Sequence, residues 1–281
     1  MCHTENMWDK FIHKWLRVPY ALHVHTNKRP AGKSRATVLF LHGIGNSGEA
    51  WRDVIRDLPD DIRVIVIDLL GFGKSPSPPW AIYDAKTQAK SVATTFLRLG
   101  VMKPVIIVGH SLGALVAVEA AKRYPFAVRS LILCSPPFYR ANEEQQRFLP
   151  RYDSLLKEIY SLAKRHPREF VTISQLAVRL GLVNKSYDVT HENTPIYMNA
   201  LTASIINQTI LDDAIKLTIP TRILYGQFDP VVIFSNLRWL AKNNPHVSLK
   251  TVLAGHEMFG PYIAAIHKEI EQASEKPKTM L

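Results

Sequence analysis

The chemically most informative stretch of this chain is a serine between two glycines. Ser111 stands between Gly109 and Gly113, after the apolar run Val105–Val108 and before the nearly all-apolar run Ala114–Ala121. The first run predicts a strand buried on both faces, and the second predicts a helix. Small residues on both sides of the serine allow the backbone to turn sharply, so its hydroxyl would project at a helix N-terminus that favours negative charge. The pattern predicts a nucleophilic serine.

A serine hydroxyl is a poor nucleophile near neutral pH, so it needs a base and a group that orients that base. Asp229 and His256 each lie in a loop after a predicted strand, and His256 follows the last one. Loops at the carboxyl ends of parallel strands converge in space even when they are far apart in sequence. The order Ser111, Asp229, His256 therefore predicts a triad of nucleophile, orienting acid and base. His42 and His110 adjoin the same loops and are predicted to support the site rather than to act as the base.

Other positions compete with Asp229 for the role of the acid. Asp68 also ends a predicted strand, but that strand lies away from the place expected for the His256 loop. The strand Val128–Cys134 is followed by two residues without a carboxylate. Asp229 is therefore the predicted acid.

Apolar runs of strand length alternate with helical patterns over most of the chain. The predicted strands are Val18–His25, Ala36–Leu41, Ile62–Ile67, Val105–Val108, Val128–Cys134, Thr221–Tyr225 and Val247–Leu253, the first being an edge strand. The predicted helices are Glu49–Leu58, Lys86–Leu99, Ala114–Ala121, Ile233–Asn243 and Tyr262–Gln272. This alternation predicts an α/β fold with a doubly wound, mostly parallel sheet.

The segment 136–219 interrupts the alternation. Its apolar residues recur at helical spacing, and it is too long for an ordinary loop between two strands. An insertion that follows a strand lies over the carboxyl edge of the sheet, which favours a helical lid. The expected division of the chain is a core of residues 1–135 and 220–281 with a lid of residues 136–219.

The chain from about Val18 to Gln272 resembles the α/β-hydrolase family, in the branch with a helical cap. The motifs that carry the resemblance are HGIG at 42–45, GHSLG at 109–113, GQFD at 226–229 and GH at 255–256. The resemblance implies that the backbone N–H groups of Ile44 and Leu112 form an oxyanion hole. Two fixed donors aimed at a developing alkoxide each contribute about 10²–10³-fold to the rate. Neither a metal nor an organic cofactor is implied.

The resemblance implies a serine hydrolase that cleaves a carboxylic ester or a similar small acyl substrate through an acyl-enzyme. Lactonases, perhydrolases and carbon–carbon bond hydrolases share the triad and stay open as alternatives. The last group commonly carries an arginine soon after the acid, where this chain has Pro230-Val231-Val232. Haloalkane dehalogenases and epoxide hydrolases use an aspartate in place of Ser111, which argues against both.

A ligand-binding or receptor protein built on the same fold, with slow turnover, is the alternative from another class. Substrate preference depends on the walls of the pocket rather than on the triad. Candidate wall residues are Asn46, Trp51, Phe72, Phe138, Tyr139 and Met198.

A dinucleotide-binding fingerprint is the main rival interpretation of one motif. Gly43, Gly45 and Gly48 have the spacing G-x-G-x-x-G between a predicted strand and a predicted helix, and Asp68 ends the next strand, where a ribose-binding acid would lie. This interpretation leaves the serine motif and the later aspartate and histidine unexplained. The hydrolase interpretation accounts for all of these features.

Composition bounds the remaining possibilities. The 281 residues carry a formal charge of +11, which is spread out or terminal, with five excess positive charges in residues 1–35. We find no nucleic-acid-binding motif, and a solvated basic surface is the simpler interpretation, with a preference for anionic surfaces as the lesser one. Cys2 and Cys134 form no disulfide framework, and no apolar run is long enough for a membrane span. We expect a cytoplasmic monomer or small homo-oligomer that acts on a small molecule.

Overall fold

A computed structural model describes residues 7–139 and 152–275. Seven strands form one sheet in the order β1-β3-β2-β4-β5-β6-β7. Their bounds are β1 Val24–Lys28, β2 Ala36–Leu41, β3 Ile62–Ile67, β4 Val105–His110, β5 Val128–Cys134, β6 Thr221–Gly226 and β7 Val247–Val252. Strands β2 to β7 pair in parallel, and β1 pairs with β3 in the antiparallel sense. The predicted α/β class and the mostly parallel sheet are confirmed.

Strand β4 lies at the centre of the sheet, and all six of its residues are buried. This explains why its sequence is a continuous apolar run rather than an alternating one. The chain runs outward from β2 to β3 and then returns to β4 on the other side of β2. The carboxyl ends of β2 and β4 therefore flank the point where the strand order reverses, where open α/β sheets bind their ligands.

Helices cover both faces of the sheet and create two buried apolar clusters. The α-helices are α1 Met7–Asp9, α2 Arg52–Arg56, α3 Ala85–Arg98, α4 Leu112–Arg123, α5 Tyr152–Arg165, α6 Pro167–Arg179, α7 Thr194–Ala200, α8 Ile210–Ala214, α9 Phe234–Asn243 and α10 Pro261–Ser274. Helices α3, α4 and α9 contribute to one cluster, and α2 and α10 contribute to the other. This two-sided covering is the doubly wound arrangement predicted from the sequence.

The first strand and the first core helix differ from their predicted bounds. Strand β1 spans Val24–Lys28, whereas the sequence predicted Val18–His25, and its pairing with β3 is irregular between Val24 and Thr26. An edge strand has one unpaired side, so polar residues such as Asn27 and Lys28 are tolerated there and conceal the alternating pattern. The predicted helix Glu49–Leu58 is a 3₁₀ turn, Gly48–Trp51, followed by the short helix α2.

The insertion between β5 and β6 is helical where the structure describes it. It contains α5 to α8 and a π-helical turn, Leu201–Ile206, that continues α7. Residues 140–151 of the predicted lid lie outside the described residues. Within the described ranges, no helix is both long and apolar enough to cross a membrane.

Candidate active site

Ser111 occupies a strained turn between β4 and α4. Its backbone angles are φ 50° and ψ −114°, a positive-φ conformation that side-chain-bearing residues rarely adopt. A Cβ atom on Gly109 would collide with the carbonyl oxygen of Gly113, and one on Gly113 would collide with the carbonyl oxygen of Leu41. The two glycines are therefore required for the turn, as the sequence predicted. The Ser111 amide donates to the Cys134 carbonyl oxygen at 2.9 Å, which fixes the turn against β5.

Asp229 and His256 form a direct pair across the loops that follow β6 and β7. The Nδ1 atom of His256 lies 2.9 Å from Oδ2 and 3.0 Å from Oδ1 of Asp229. The Asp229 carboxylate is buried, and its Oδ1 also accepts the backbone N–H of Val231 at 2.8 Å. Because a carboxylate only accepts hydrogen bonds, Nδ1 of the imidazole is the protonated nitrogen, and Nε2 is left for another partner.

The two partners shift each other's proton affinity. Burial alone would raise the pKa of Asp229, but the charge and hydrogen bond of His256 hold the pKa of this carboxyl below its ordinary value. Burial would lower the pKa of His256, but the charge and hydrogen bond of Asp229, with the charge of Glu257, hold it above its ordinary value. The pair therefore favours an ionised carboxylate beside an imidazole that readily accepts a proton.

The loop after β2 lies directly beside Ser111. A Cβ atom on Gly43 would lie 3.4 Å from the Cβ atom of Ser111, so the backbone of this loop approaches the serine closely. Ile44 lines the same cavity as Ser111, and Leu112 is the first residue of α4, fully buried. Of the two positions implied for the oxyanion hole, Ile44 therefore lies in the loop beside Ser111 and Leu112 directly follows Ser111 in the chain.

His42 and His110 form hydrogen bonds with backbone groups of these loops. Nδ1 of His42 donates to the Gly43 carbonyl oxygen at 2.8 Å, and its Nε2 accepts the backbone N–H of Leu69 at 2.9 Å. Nε2 of His110 lies 2.9 Å from the carbonyl oxygen of His256. Burial lowers the pKa of His42 to about 4 and that of His110 to about 3, so both rings are neutral near pH 7. Each neutral ring holds one loop of the site in place.

Ser135 contributes to the site although the sequence offered no signal for it. It follows β5 with φ 49°, and its side chain is fully buried. Its hydroxyl lies 3.0 Å from the Tyr262 hydroxyl and also hydrogen-bonds to Asp229, which helps to lower the pKa of that carboxyl. Only the packing of α10 under the sheet brings Tyr262 to this position, and that packing cannot be predicted from local sequence.

A cavity of about 760 Å³ opens over Ser111 and His256, between the carboxyl edge of the sheet and the inserted helices. Its walls are mostly apolar side chains of the insertion: Ile159, Leu162, Phe170, Ile173, Leu201 and Ile205. Its polar lining includes Asn46, Ser174, Tyr187, Tyr197 and Glu257. The volume lies within the range of about 300–1,000 Å³ that is usual for small-molecule sites.

One of the six predicted wall residues, Asn46, lines this cavity. The prediction was wrong for the other five, which are not among the described residues that line the cavity: Trp51, Phe72, Phe138, Tyr139 and Met198. Trp51, for example, packs against Phe40 on the opposite face of the sheet. Which face a large side chain occupies depends on tertiary packing, and the sequence pattern alone did not decide it.

The carboxylate of Asp68 accepts backbone hydrogen bonds and is not free to bind a ribose. Its carboxylate is buried, and its two oxygens accept the backbone N–H groups of Gly48 at 2.6 Å and Lys74 at 2.9 Å. The acid that the dinucleotide interpretation needs is therefore occupied in joining two loops. The described part of the chain contains one group of three side chains with the composition of a metal site. One ligand atom each of His23, His25 and Asp68 lies within 4.8 Å of the other two.

Comparison with known proteins identifies the family of this fold. Residues 36–260 match the family model of the alpha/beta hydrolase fold. The chain is 30% identical to the probable lysophospholipase BODYGUARD 1 of Arabidopsis thaliana over 135 residues, which are 46% of this chain and 29% of that protein. The matched stretch therefore spans less than a third of that relative. Identity to the pimeloyl-[acyl-carrier protein] methyl ester esterase of Legionella pneumophila is 25% over 250 residues, 86% of this chain and 94% of that one.

Among solved structures, the enol-lactonase of Burkholderia xenovorans LB400 superposes with a TM-score of 0.71 at 16% identity, covering 90% of this chain and 95% of that one. An esterase of Thermogutta terrifontis gives a TM-score of 0.63 at 21% identity, over 90% of this chain and 100% of that one. These likenesses concern the fold. The family match over residues 36–260 covers most of the sheet, the serine turn and both later loops, and from it we conclude that this chain belongs to the alpha/beta hydrolase fold family.

Proposed function

We propose that the protein hydrolyses carboxylic esters through an acyl-enzyme on Ser111, with His256 as base and Asp229 as orienting acid. One observation carries the proposal. A buried carboxylate lies 2.9 Å from the imidazole of His256, and that imidazole lines the same cavity as the strained serine. A base held by a carboxylate next to a serine at a helix N-terminus is what acyl transfer requires.

In the proposed reaction, Oγ of Ser111 attacks the ester carbonyl carbon while Nε2 of His256 takes the hydroxyl proton. The oxyanion that forms accepts hydrogen bonds from the backbone N–H groups of Ile44 and Leu112. Collapse of this intermediate breaks the bond to the alcohol, which leaves with the proton from His256. Water then attacks the acyl-enzyme by the same route and restores Ser111.

The relatives support an ester as the substrate class. The names of the two curated relatives describe a probable lysophospholipase and a methyl ester esterase, and both kinds of protein act on ester bonds. The apolar walls of the cavity suit the hydrocarbon part of an acyl group, and the polar positions near His256 suit its carbonyl and alcohol ends. We further propose that residues 136–219 act as the lid of this cavity.

The test compares wild-type protein with Ser111→Ala on p-nitrophenyl esters and with a fluorophosphonate probe. We expect labelling and multiple turnovers in the wild type and the loss of both in Ser111→Ala. Ser235→Ala, which changes an exposed serine on α9, serves as the matched control and should behave as wild type. Labelling without repeated turnover would favour the receptor alternative, and a wild type that neither labels nor turns over would refute the proposal.

A further inference from the structure

The segment Met7–Val18 lies on the protein with its polar side turned inward. It comprises α1 and a π-helical turn, Lys10–Trp15. The Asp9 carboxylate accepts the Tyr20 hydroxyl at 2.7 Å, and the ring of His13 stacks on the ring of Tyr20 with centroids 3.6 Å apart. Half-buried side chains in this segment are therefore polar ones.

The apolar side of the same segment faces outward. Trp15 is 75% exposed and Trp8 is 65% exposed. The other exposed apolar side chains of the segment are Met7, Phe11, Ile12, Leu16 and Val18. Residues 8, 11, 12 and 15 have the i, i+3, i+4, i+7 spacing of an apolar helix stripe, which a surface helix normally turns toward the core. Here the usual orientation is reversed, which marks an interaction surface.

The charges of the segment are positive. It carries Lys10, Lys14 and Arg17 against one carboxylate, Asp9, which already accepts the Tyr20 hydroxyl. Lys14 and Arg17 are exposed, and neither takes part in an ion pair within residues 7–139 and 152–275. The whole chain has the same sign, with a formal charge of +11.

We propose that residues 7–18 dock onto an anionic phospholipid surface, with the helical axis in the plane of the interface. Tryptophan side chains favour the boundary between lipid headgroups and acyl chains because their rings combine an apolar body with a polar N–H group. Lysine and arginine place their stems along the acyl boundary and their charges among anionic headgroups. Charge complementarity selects lipid over a neutral apolar partner, and the proposal is independent of the chemistry at Ser111.

The test measures co-sedimentation of the purified full chain with vesicles of phosphatidylglycerol and phosphatidylcholine, and with vesicles of phosphatidylcholine alone. We expect binding to the anionic vesicles at about 0.15 M salt, weaker binding to the neutral ones, and a marked loss at about 0.5 M salt. Tryptophan emission should shift to the blue on binding, and brominated lipid should quench it, because Trp8 and Trp15 would enter the interface.

Two double variants separate charge from apolar contact. Lys14→Glu with Arg17→Glu should weaken binding to anionic vesicles at least about tenfold. Trp15→Ser with Leu16→Ser should weaken binding to the same vesicles and reduce the quenching by brominated lipid, with Trp8 left as the one tryptophan of the segment. All four side chains are exposed, so thermal unfolding and hydrolysis of monomeric p-nitrophenyl acetate should stay at wild-type levels.

Matched controls carry the same changes elsewhere. Lys103→Glu with Lys216→Glu makes the same charge change at exposed positions, and Leu97→Ser with Phe126→Ser removes exposed apolar side chains. Both controls should bind vesicles nearly as well as the wild type. Three results would each overturn the proposal: no binding of the wild type to anionic vesicles, equal losses in the controls, or a dimer that dissociates in Trp15→Ser with Leu16→Ser.

Discussion

At the level of single side chains, two opposing effects set the proton affinity of His256. Burial disfavours the imidazolium, whereas Asp229 and Glu257 favour it, and the net result is a pKa above the ordinary value. His110 adds no positive charge to this site, because burial keeps its ring neutral. The one group that gains a proton during the proposed reaction is thus stabilised by two carboxylates, those of Asp229 and Glu257.

Asp229→Asn keeps the shape of the acid but removes its charge. The amide would favour the wrong tautomer of His256 and would no longer stabilise its cation, so kcat should fall by about 10⁴-fold. Steady-state kinetics on a p-nitrophenyl ester would measure this loss. Asp212→Asn, at an exposed position of α8, is the control and should keep wild-type activity. Equal activity of Asp229→Asn and the wild type would contradict the proposed role.

The pH dependence of kcat/KM should show the raised pKa of His256 directly. The base must be neutral to accept the serine proton, so activity should fall as the pH drops, with a midpoint above about 6.5. Glu257→Gln removes one of the charges that raise this pKa, and its midpoint should therefore move to lower pH. Glu158→Gln, at an exposed position of α5, should leave the midpoint in place. A shift of the midpoint to higher pH in Glu257→Gln would show that Glu257 does not raise the pKa of His256.

At the level of strands and helices, the serine turn depends on the contact between β2 and the start of α4. Gly113 lies in the first turn of α4 against the carbonyl groups of Leu41 and His42, so a methyl group there has no space. We expect Gly113→Ala to lower the free energy of unfolding by more than about 3 kcal/mol, since backbone atoms would have to move.

Urea denaturation measures this change, and Gly32→Ala is the matched control. A Cβ atom at Gly32 would have no other atom within 4 Å, so its substitution should alter the stability by no more than about 0.5 kcal/mol. A Gly113→Ala variant as stable as Gly32→Ala would show that the close approach at the turn is not required.

These elements also show what the sequence could and could not predict. Strands β2 to β6 could be recognised because buried parallel strands are mainly apolar runs, and β7 because its apolar and polar residues alternate. The rule that the carboxyl ends of parallel strands converge then predicted that Ser111, Asp229 and His256 lie together. Strand β1 was misplaced because an edge strand tolerates polar residues. Ser135 and the cavity walls were missed or misassigned because they depend on how distant elements pack, which leaves no local pattern.

At the level of the whole molecule, the cavity exists because the insertion covers the carboxyl edge of the sheet. The core supplies Ser111 and His256, and the insertion supplies most of the apolar wall. Under the proposed function, the insertion would set which acyl groups fit and the core would carry out the reaction.

Acyl-chain preference tests this division of roles. Each methylene buried in the apolar wall contributes up to about 0.8 kcal/mol, so kcat/KM should rise by up to about fourfold per methylene from acetate toward octanoate. Ile159→Trp, which fills part of the cavity from α5, should reduce hydrolysis of octanoate more than that of acetate. Ile82→Trp, at an exposed position outside the cavity lining, should change neither. A flat chain-length profile in the wild type would contradict an acyl site in this cavity.

The most direct test of the central claim is the mass of the protein during turnover. A rapid acid quench of wild-type protein with a p-nitrophenyl ester should trap an adduct of one acyl group, and peptide mapping should place it on Ser111. His256→Ala should accumulate far less of it, because the serine would lack its base. Two results would contradict the acyl-enzyme mechanism. One is an acyl group on another residue. The other is steady turnover of an activated ester with no adduct after quenching on the sub-second timescale.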